Sequence, residues 1–318
     1  MEPVSLIVLL LMGTLAGAIN AAVGSGSLLT LPVLLALGIP PGAAVRTNTI
    51  GILFSTFGSV YGYRREIAEE KGNLGPLMVV TALCATGGAL LLLISPTGAL
   101  DVIVPLLIVF ALGMVIFQKR ITAMLRSSQE RRAARRASGS AATAAAVGGA
   151  DAADGPAVEG SAAAEGGAAP ADGPAVEGSA AAEAGRDAAD GVPARSPYRS
   201  PGLIGAMGAA SVYGGYFTAA QGILYLGVLG TFTGRSMRSV NSIKNLLSLV
   251  VNLSAATVYL IAHFVLGVEI VWIATAAIAV GALLGGYFGA HLAKRMPEWL
   301  LRGIIVAVAL FALVRQLL

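Results

Sequence analysis

Charge is what this chain has least of. Asp, Glu, Lys and Arg make up 12% of its 318 residues, against hydrophobic residues at 56% and a mean hydropathy of +0.79. Ordinary soluble domains carry about twice that share of charge, so a soluble globular fold is excluded. Cysteine is as scarce. Cys84 stands alone inside an apolar run, so no intrachain disulfide can form and packing is its expected role. The N-terminal Met-Glu-Pro has no positive region, and its apolar run leads straight into another, so a cleaved signal peptide is not expected and the first segment should stay in the mature chain. No His-Glu-x-x-His motif is present, which removes the helix signature of a metallohydrolase, and no metal or cofactor is implied.

What the chain has instead is a series of apolar stretches, at 4–23, 27–39, 47–63, 74–94, 102–117, 203–233, 246–268, 270–290 and 299–314. Most are near the roughly 20 residues that cross a bilayer core. The expectation is an all-α polytopic membrane protein with about eight or more membrane segments. Residues 119–202 interrupt the series, first with Lys119, Arg120, Arg126, Arg131, Arg132, Arg135 and Arg136, then with Ala/Gly/Asp/Glu/Pro-rich sequence in which "DGPAVEGSAAAE" occurs at 154–165 and again at 172–183. A repeat without large apolar residues has little to bury and is expected to be a disordered linker, with no assigned chemistry.

The two flanking halves, 1–118 and 203–318, share an order of motifs. With Asn48 set on Asn241, Thr49 meets Ser242, Ile50 meets Ile243, Ser55 meets Ser248 and Ser59 meets Asn252. Arg46 and Arg238 precede these blocks, and a Gly-interrupted run lies upstream of each, "AAVGSGSLLTLP" at 21–32 and "TAAQGILYLG" at 218–227. This reads as a two-fold internal repeat.

Lys and Arg in short loops favour the cytoplasmic side. Arg64, Arg65 and Lys71 share one loop with that expectation, and the basic cluster at 119–136 follows two crossings later. A single straight helix over 203–233 would be ~46 Å long, against a bilayer core of roughly 30 Å. A hairpin at Gln221-Gly222 removes the excess and places Arg235, Arg238, Lys294 and Arg295 in the cytoplasm. Residues 4–39 have the same excess and a Gly24-Ser25-Gly26-Ser27 break. A hairpin there puts the N-terminus outside, gives each half an odd number of net crossings, and makes the repeats inverted, each beginning with a broken or hairpin helix.

Inverted repeats with interrupted helices at matching places point to the midplane site of a secondary transporter. A break leaves helix N-terminal N–H groups to receive an anion. Gly24 and Gly26 allow close backbone approach, and Ser25 and Ser27 add hydroxyl donors. A packing kink is the plainer alternative. Positions 0, 7 and 11 fall within one helical sector, so Asn48, Ser55 and Ser59 share a face, as do Asn241, Ser248 and Asn252, with Asn245 joining the second. Such stripes face a wet cavity or join helices by hydrogen bonds. Lys244 lies about one turn inside its helix, where it either contacts a ligand or snorkels to the surface. Arg46 and Arg238 would stand at opposite mouths, as gate candidates or, for Arg238, as a topology signal. Acidic residues reach the apolar runs only at Asp101 and Glu269, which favours an anionic ligand and gives no proton relay. Gly13 and Gly17, with Gly281, Gly285 and Gly289, form ridges suited to close helix packing.

These motifs resemble the TauE/SafE family of sulfite and organosulfonate exporters, bacterial-type membrane permeases. The resemblance rests on "GAINAAVGSGSLLTLPVLLALGIPPGAAVRTNTIGI" at 17–52, echoed by "GYFTAAQGILYLGVLGTFTGRSMRSVNSIKNLLS" at 215–248. It covers both halves and leaves out the linker. The family often has a run of glycines where this chain has Gly24-Ser25-Gly26-Ser27, a departure that bears on ligand preference. The resemblance implies export of a small sulfur-containing anion across the cell membrane; the cytoplasmic side of the linker follows from its basic cluster instead. The expected site is Gly24, Ser25, Gly26, Ser27, Asn48, Thr49, Gln221, Gly222, Asn241, Ser242, Lys244 and Asn245. The partners are the substrate anion and the lipid bilayer, not nucleic acid, and a homo-oligomer is left open. Uptake of a related anion and a purely structural membrane subunit are the alternatives. An intramembrane serine protease using Ser25 with His263 or His291 is disfavoured, because both histidines lie near helix ends.

Overall fold

The computed structural model describes residues 2–22, 24–70, 74–150, 197–235, 237–295 and 303. Their regular structure is helical, with ten α-helices and one short 3-10 turn, Pro197–Arg199, and no strand among the described residues. The first half holds α1 (Pro3–Ala22), α2 (Ser27–Ala36), α3 (Pro41–Gly62), α4 (Arg64–Glu70), α5 (Gly75–Ile94) and α6 (Thr97–Ala150). The second holds α7 (Pro201–Phe217), α8 (Gln221–Thr233), α9 (Met237–Leu266) and α10 (Trp272–Arg295). Proline in the first turn starts α3, α5 and α7, where its missing N–H costs nothing.

One compact unit comprises Met1–Gln129 and Pro197–Leu318, and a second comprises Glu130–Ser196. The described part of the second unit is the helical continuation of α6 to Ala150. The basic stretch and the first alanines of the linker, 119–150, are thus part of that helix. Its alanines are the best helix formers of all, which outweighs the lack of apolar residues to bury. Both copies of the twelve-residue repeat and the last apolar stretch, 299–314 except Gly303, lie outside the described residues.

Four described helical segments are long and apolar enough to cross a membrane: Pro3–Ala21, Gly75–Ile94, Thr97–Phe117 and Arg238–Leu266. Two shorter apolar stretches are Ser27–Ala36 and Trp272–Tyr287. Large apolar side chains such as Leu83, Ile94, Val102 and Phe264 are exposed, as befits surfaces facing lipid rather than water.

Helix directions follow from backbone contacts made possible by glycine. On α1, Gly13 lies against Ile278 and Gly17 against Ala282 and Gly286, and Gly281 and Gly285 of α10 face Leu10 and Thr14 in return. Numbers rise together, so α1 and α10 run parallel. Gly51 and Gly58 of α3 meet Thr275, Ile278 and Gly286 in the same sense, which aligns α3 with them. In the other set, Gly208 of α7 lies by Val80 and Cys84 of α5, and Gly215 by Ala85, so α5 and α7 run parallel. Tyr259 of α9 donates to the Gly215 carbonyl at 2.8 Å. The two sets oppose each other, because α9 lies antiparallel to α3: Asn241 meets Tyr63 at one end and Arg46 meets Glu269 at the other. The small-residue ridges are thus packing surfaces, and each half's first helix packs on the other half's late helix.

Both length problems are resolved by hairpins. Ser211 meets Tyr225, Gly214 meets Gln221 and Gly202 meets Phe232, so α8 folds back along α7. The bend lies at Thr218, Ala219 and Ala220, with Thr218 and Ala220 at φ +65° and +58°. Gln221 and Gly222, expected to form the bend, are instead the first residues of α8. In the first half Gly26 lies against Ala16 and Asn20, which turns α2 back along α1. With ten and thirteen residues, α2 and α8 span only ~15 and ~20 Å, less than a bilayer core.

The hairpin tips touch. The Gly222 N–H donates to the Gly24 carbonyl at 3.1 Å, and Gly24 has φ +82°, a conformation only glycine adopts without strain. A Cβ on either residue would collide with the backbone of the other. Gly222→Ala is therefore expected to lower the melting temperature of the detergent-solubilised protein, with a loss of about 1–3 kcal/mol from overpacking. Gly87→Ala, at an exposed helical site with nothing near the added carbon, should leave it unchanged or raise it slightly.

Candidate functional site

The meeting of the two tips collects buried polar groups from four helices. Ser25 and Ser27 flank Gly26 at the start of α2, and both are buried. Ser25 Oγ has no hydrogen-bond partner among the described residues. Gln221 Nε2, on the opposite tip, neighbours the Tyr225 hydroxyl but lacks hydrogen-bond geometry to it. The expectation of an open N–H at each break holds less well. The amide of Gly222 is consumed by Gly24, because two glycines allow backbone to meet backbone.

The α3 stripe runs beside this contact. Asn48 Oδ1 accepts from the Thr30 hydroxyl of α2, while Asn48 Nδ2 has no partner among the described residues. Thr49 Oγ1 bonds the Val45 carbonyl at 2.8 Å and lies 3.0 Å from Thr218 Oγ1 in the second break. Ser55 Oγ accepts from Asn20 Nδ2 at 3.1 Å, and Ser59 bonds the Ser55 carbonyl. Asn20, Thr30 and Thr218 were not singled out by sequence. Asn20 and Thr218 stand at the C-terminal ends of the helices that enter the breaks, which is the signal that could have found them.

On α9 the stripe divides. Lys244 and Asn245 reach across to the end of α1, with Lys244 Nζ 3.4 Å from the Asn20 carbonyl and Asn245 Nδ2 3.5 Å from that of Ala21. These carbonyls belong to the last turn of α1, where no intrahelical donor remains and the helix dipole is negative. Lys244 does not snorkel. Its side chain is fully buried, and neither ion pair found among the described residues involves it. Asn241 and Ser242 do not join this group: Asn241 Nδ2 donates to Tyr63 at 3.0 Å, and Ser242 bonds the Ser239 carbonyl. Asn252 is buried with an unpartnered Oδ1.

The two arginines stand at opposite ends of the antiparallel α3–α9 pair. Arg46 Nε donates to the Glu269 carbonyl at 3.0 Å. Arg238 pairs with Glu66 of α4 at 2.7 Å, and Arg235 pairs with Glu70 at 3.4 Å, with Ser239 also on Glu70. Arg65, Glu66, Glu69, Glu70, Arg238 and Ser239 line a pocket of about 270 Å³ at this end, apart from the breaks. The Arg238 guanidinium holds the Glu66 carboxyl below the usual carboxylate range. Neither acid was noticed in the sequence, because α4 is a short loop helix whose register only the fold reveals.

The hydrolase reading finds no support. Both nitrogens of His263 are engaged, Nδ1 with the Val268 carbonyl at 2.8 Å and Nε2 with Trp272 Nε1 at 3.2 Å. The His291 side chain lies outside the described residues.

The family model described as sulfite exporter TauE/SafE matches residues 9–159 and 174–315. A probable membrane transporter protein ORF9 of a Sinorhizobium species is 33% identical over 95 residues, 30% of this chain, and the match spans 36% of that protein. A probable membrane transporter protein YfcA of Escherichia coli K12 is 22% identical over 312 residues, covering 97% of this chain and 88% of the relative. No solved structure matches significantly.

Two stability measurements probe the charges. Lys244→Met removes an ammonium without a counter-charge at similar volume, so the unliganded protein should melt no lower than wild type, whereas Lys244→Ala should melt lower through the cavity it leaves. Glu66→Gln should lower the melting temperature only slightly near neutral pH, because Arg238 is 78% exposed and solvent screens the pair. A carboxyl with a lowered folded pKa stabilises fully above the ordinary carboxylate range, and this is lost as pH falls through the lowered value. The difference in melting temperature between wild type and Glu66→Gln should therefore close on acidification.

Proposed function

The chain belongs to the sulfite exporter TauE/SafE family of membrane transporters, and from that premise we propose that it carries a small sulfur-containing anion, sulfite or an organosulfonate, out across the cell membrane. One observation carries the reading. Lys244 is a fully buried amino group with no carboxylate partner, on the same α1 end from which the chain turns into Ser25, where an anion would favour its charged form. Ser25 Oγ and Asn48 Nδ2 add donors without partners among the described residues. Buried donors left unmatched are costly, and an anion with several acceptor oxygens is the ligand that satisfies them.

The site we assign comprises Gly24, Ser25, Gly26, Ser27, Asn48, Thr49, Gln221, Gly222, Lys244 and Asn245. Asn241 and Ser242 lie on the way in from the Arg238 end, and Arg46 and Arg238 serve as gates. We read residues 1–118 and 203–318 as inverted repeats joined by the linker 119–202. Support comes from α1 and α3 running opposite to α7 and α9, and from the reciprocal packing of α1 on α10 and α7 on α5. Alternating access then rocks the group holding α1, α3 and α10 against the group holding α5, α7 and α9. Arg64, Arg65, Arg235 and Arg238 mark one end, which we take as cytoplasmic along with the linker. Export gains roughly 2.3 kcal/mol per charge per 100 mV when an anion leaves a negative cytoplasm, so no coupled proton is needed.

The test is melting temperature of the purified protein against sulfite, sulfate, sulfoacetate, taurine and chloride. One sulfur anion should raise it selectively, by an amount equivalent to about 2.7 kcal/mol at a hundredfold excess over its Kd. Lys244→Ala and Asn245→Ala should abolish the shift. If no anion acts at millimolar concentration and Lys244→Ala leaves flux intact, the polar stripes are only helix-to-helix glue and the reading fails.

A further inference from the structure

Side-chain pairs join the end of α3 and α4 to the start of α9 in a fixed order. Asn241 Nδ2 donates to the Tyr63 hydroxyl at 3.0 Å. Arg238 donates through Nη2 and Nε to one Glu66 oxygen, at 2.7 and 3.2 Å. Arg235 Nη2 lies 3.4 Å from one Glu70 oxygen, and the other accepts from Ser239 Oγ at 3.2 Å. Numbers rise along 63, 66 and 70 as they fall along 241, 238 and 235, so the two segments close like a zip. Tyr198, just before α7, is buried and interacts with Glu70, Arg235 and Ser239.

The opposite end is closed by other means. Arg46 Nε donates to the Glu269 carbonyl at 3.0 Å, and the Val271 N–H donates to Thr47 Oγ1 at 3.1 Å. Both bonds use backbone atoms of the link between α9 and α10, and neither uses a carboxylate. The zip, by contrast, is made of side chains, and its ion pairs can part without disturbing any backbone hydrogen bond. Pairs of this exposed kind are individually weak.

The zip also lies across the boundary that rocking has to open. α4 continues from α3, which belongs with α1 and α10, while α9 belongs with α5 and α7. Behind it Ser242 and Lys244 are fully buried. Only six residues, about 9 Å along α9, separate Arg238 from Lys244. The 270 Å³ pocket at this end has room for a small anion, but Glu66 already occupies the Arg238 N–H groups that would receive it.

Resting on the transport reading above, we propose that Glu66 and Glu70 are the gate residues of the cytoplasmic mouth. Their carboxylates hold Arg238 and Arg235 in a conformation closed to that side, and parting of the two pairs opens the way to Lys244.

The experiment uses the purified full chain with Ser242→Cys as reporter and the lone native cysteine replaced, Cys84→Ala. The rate at which a charged methanethiosulfonate modifies the reporter is measured. Glu66→Gln together with Glu70→Gln should raise that rate about threefold or more, since each weak pair favours the closed state by up to about fivefold. Glu69→Gln should leave it unchanged, because Glu69 lines the same pocket but forms no ion pair among the described residues. Glu66→Arg should open the mouth, and adding Arg238→Glu should close it again. General loosening is read separately at native Cys84, half-buried in the middle of α5, whose modification should not change when the two acids are neutralised with Ser242 intact.

A reporter rate indifferent to both acids overturns the proposal. So does an equal rise at Cys84, or a charge-swapped protein that melts normally yet stays open. If wild type shows neither an anion-induced melting shift nor flux, the transport reading itself fails. An anion response with indifferent labelling sinks the gate alone.

Discussion

The structure turns on one contact, the backbone of Gly24 against the backbone of Gly222. Two helical hairpins, each too short on its returning arm to cross a bilayer, meet tip to tip, and no side chain fits between them. This contact brings four helix ends into the interior, where water cannot satisfy them. Thr218, Tyr213, Tyr259, Lys244 and Asn245 answer to that demand: a helix end in hydrocarbon must find donors for its carbonyls and acceptors for its amides. The stripes on α3 and α9 are the supply.

Supply and demand are not matched evenly. The second break is closed by hydroxyls, which are neutral and interchange donor and acceptor roles. The first is closed by an amide and an ammonium at the long distances of 3.4 and 3.5 Å, beside an unpartnered Ser25 hydroxyl. The same backbone geometry thus has a settled side and an unsettled one. An unsettled site in an otherwise close-packed membrane protein is where a ligand has something to gain.

The strength of contacts between the halves is graded along the bundle. At the ends, Arg46 on the Glu269 carbonyl and Arg238 on Glu66 join first half to second through half-exposed or exposed groups worth little individually. Between them, α1 on α10 and α5 on α7 are joined by glycine-to-backbone packing that tolerates no added carbon. Weak clasps at the two ends thus flank helix pairs that are held rigidly to each other.

Much of this was legible in the sequence because membrane solvation leaves few options. Apolar runs of a fixed length must be helices, a run of 31 residues must bend, and Gly-Ser-Gly-Ser in such a run must break it. Gly13, Gly17, Gly281 and Gly285 announced close packing through their spacing alone. The twin Asn stripes were visible, but their equivalence was misleading: Asn48 faces α2, whereas Asn241 serves Tyr63 near the end of the bundle. Alanine in 119–150 favoured helix where low complexity suggested none. The sequence by itself determined the class of fold, the two breaks and the shortage of acids, because each follows from local composition in a bilayer. Only tertiary structure decided that the breaks touch, that the bend falls at 218–220, and that Lys244 turns inward to the end of α1 instead of outward to the lipid surface. A side chain four carbons long reaches either way, and the choice belongs to the carbonyls that another helix, more than two hundred residues earlier, leaves without a donor.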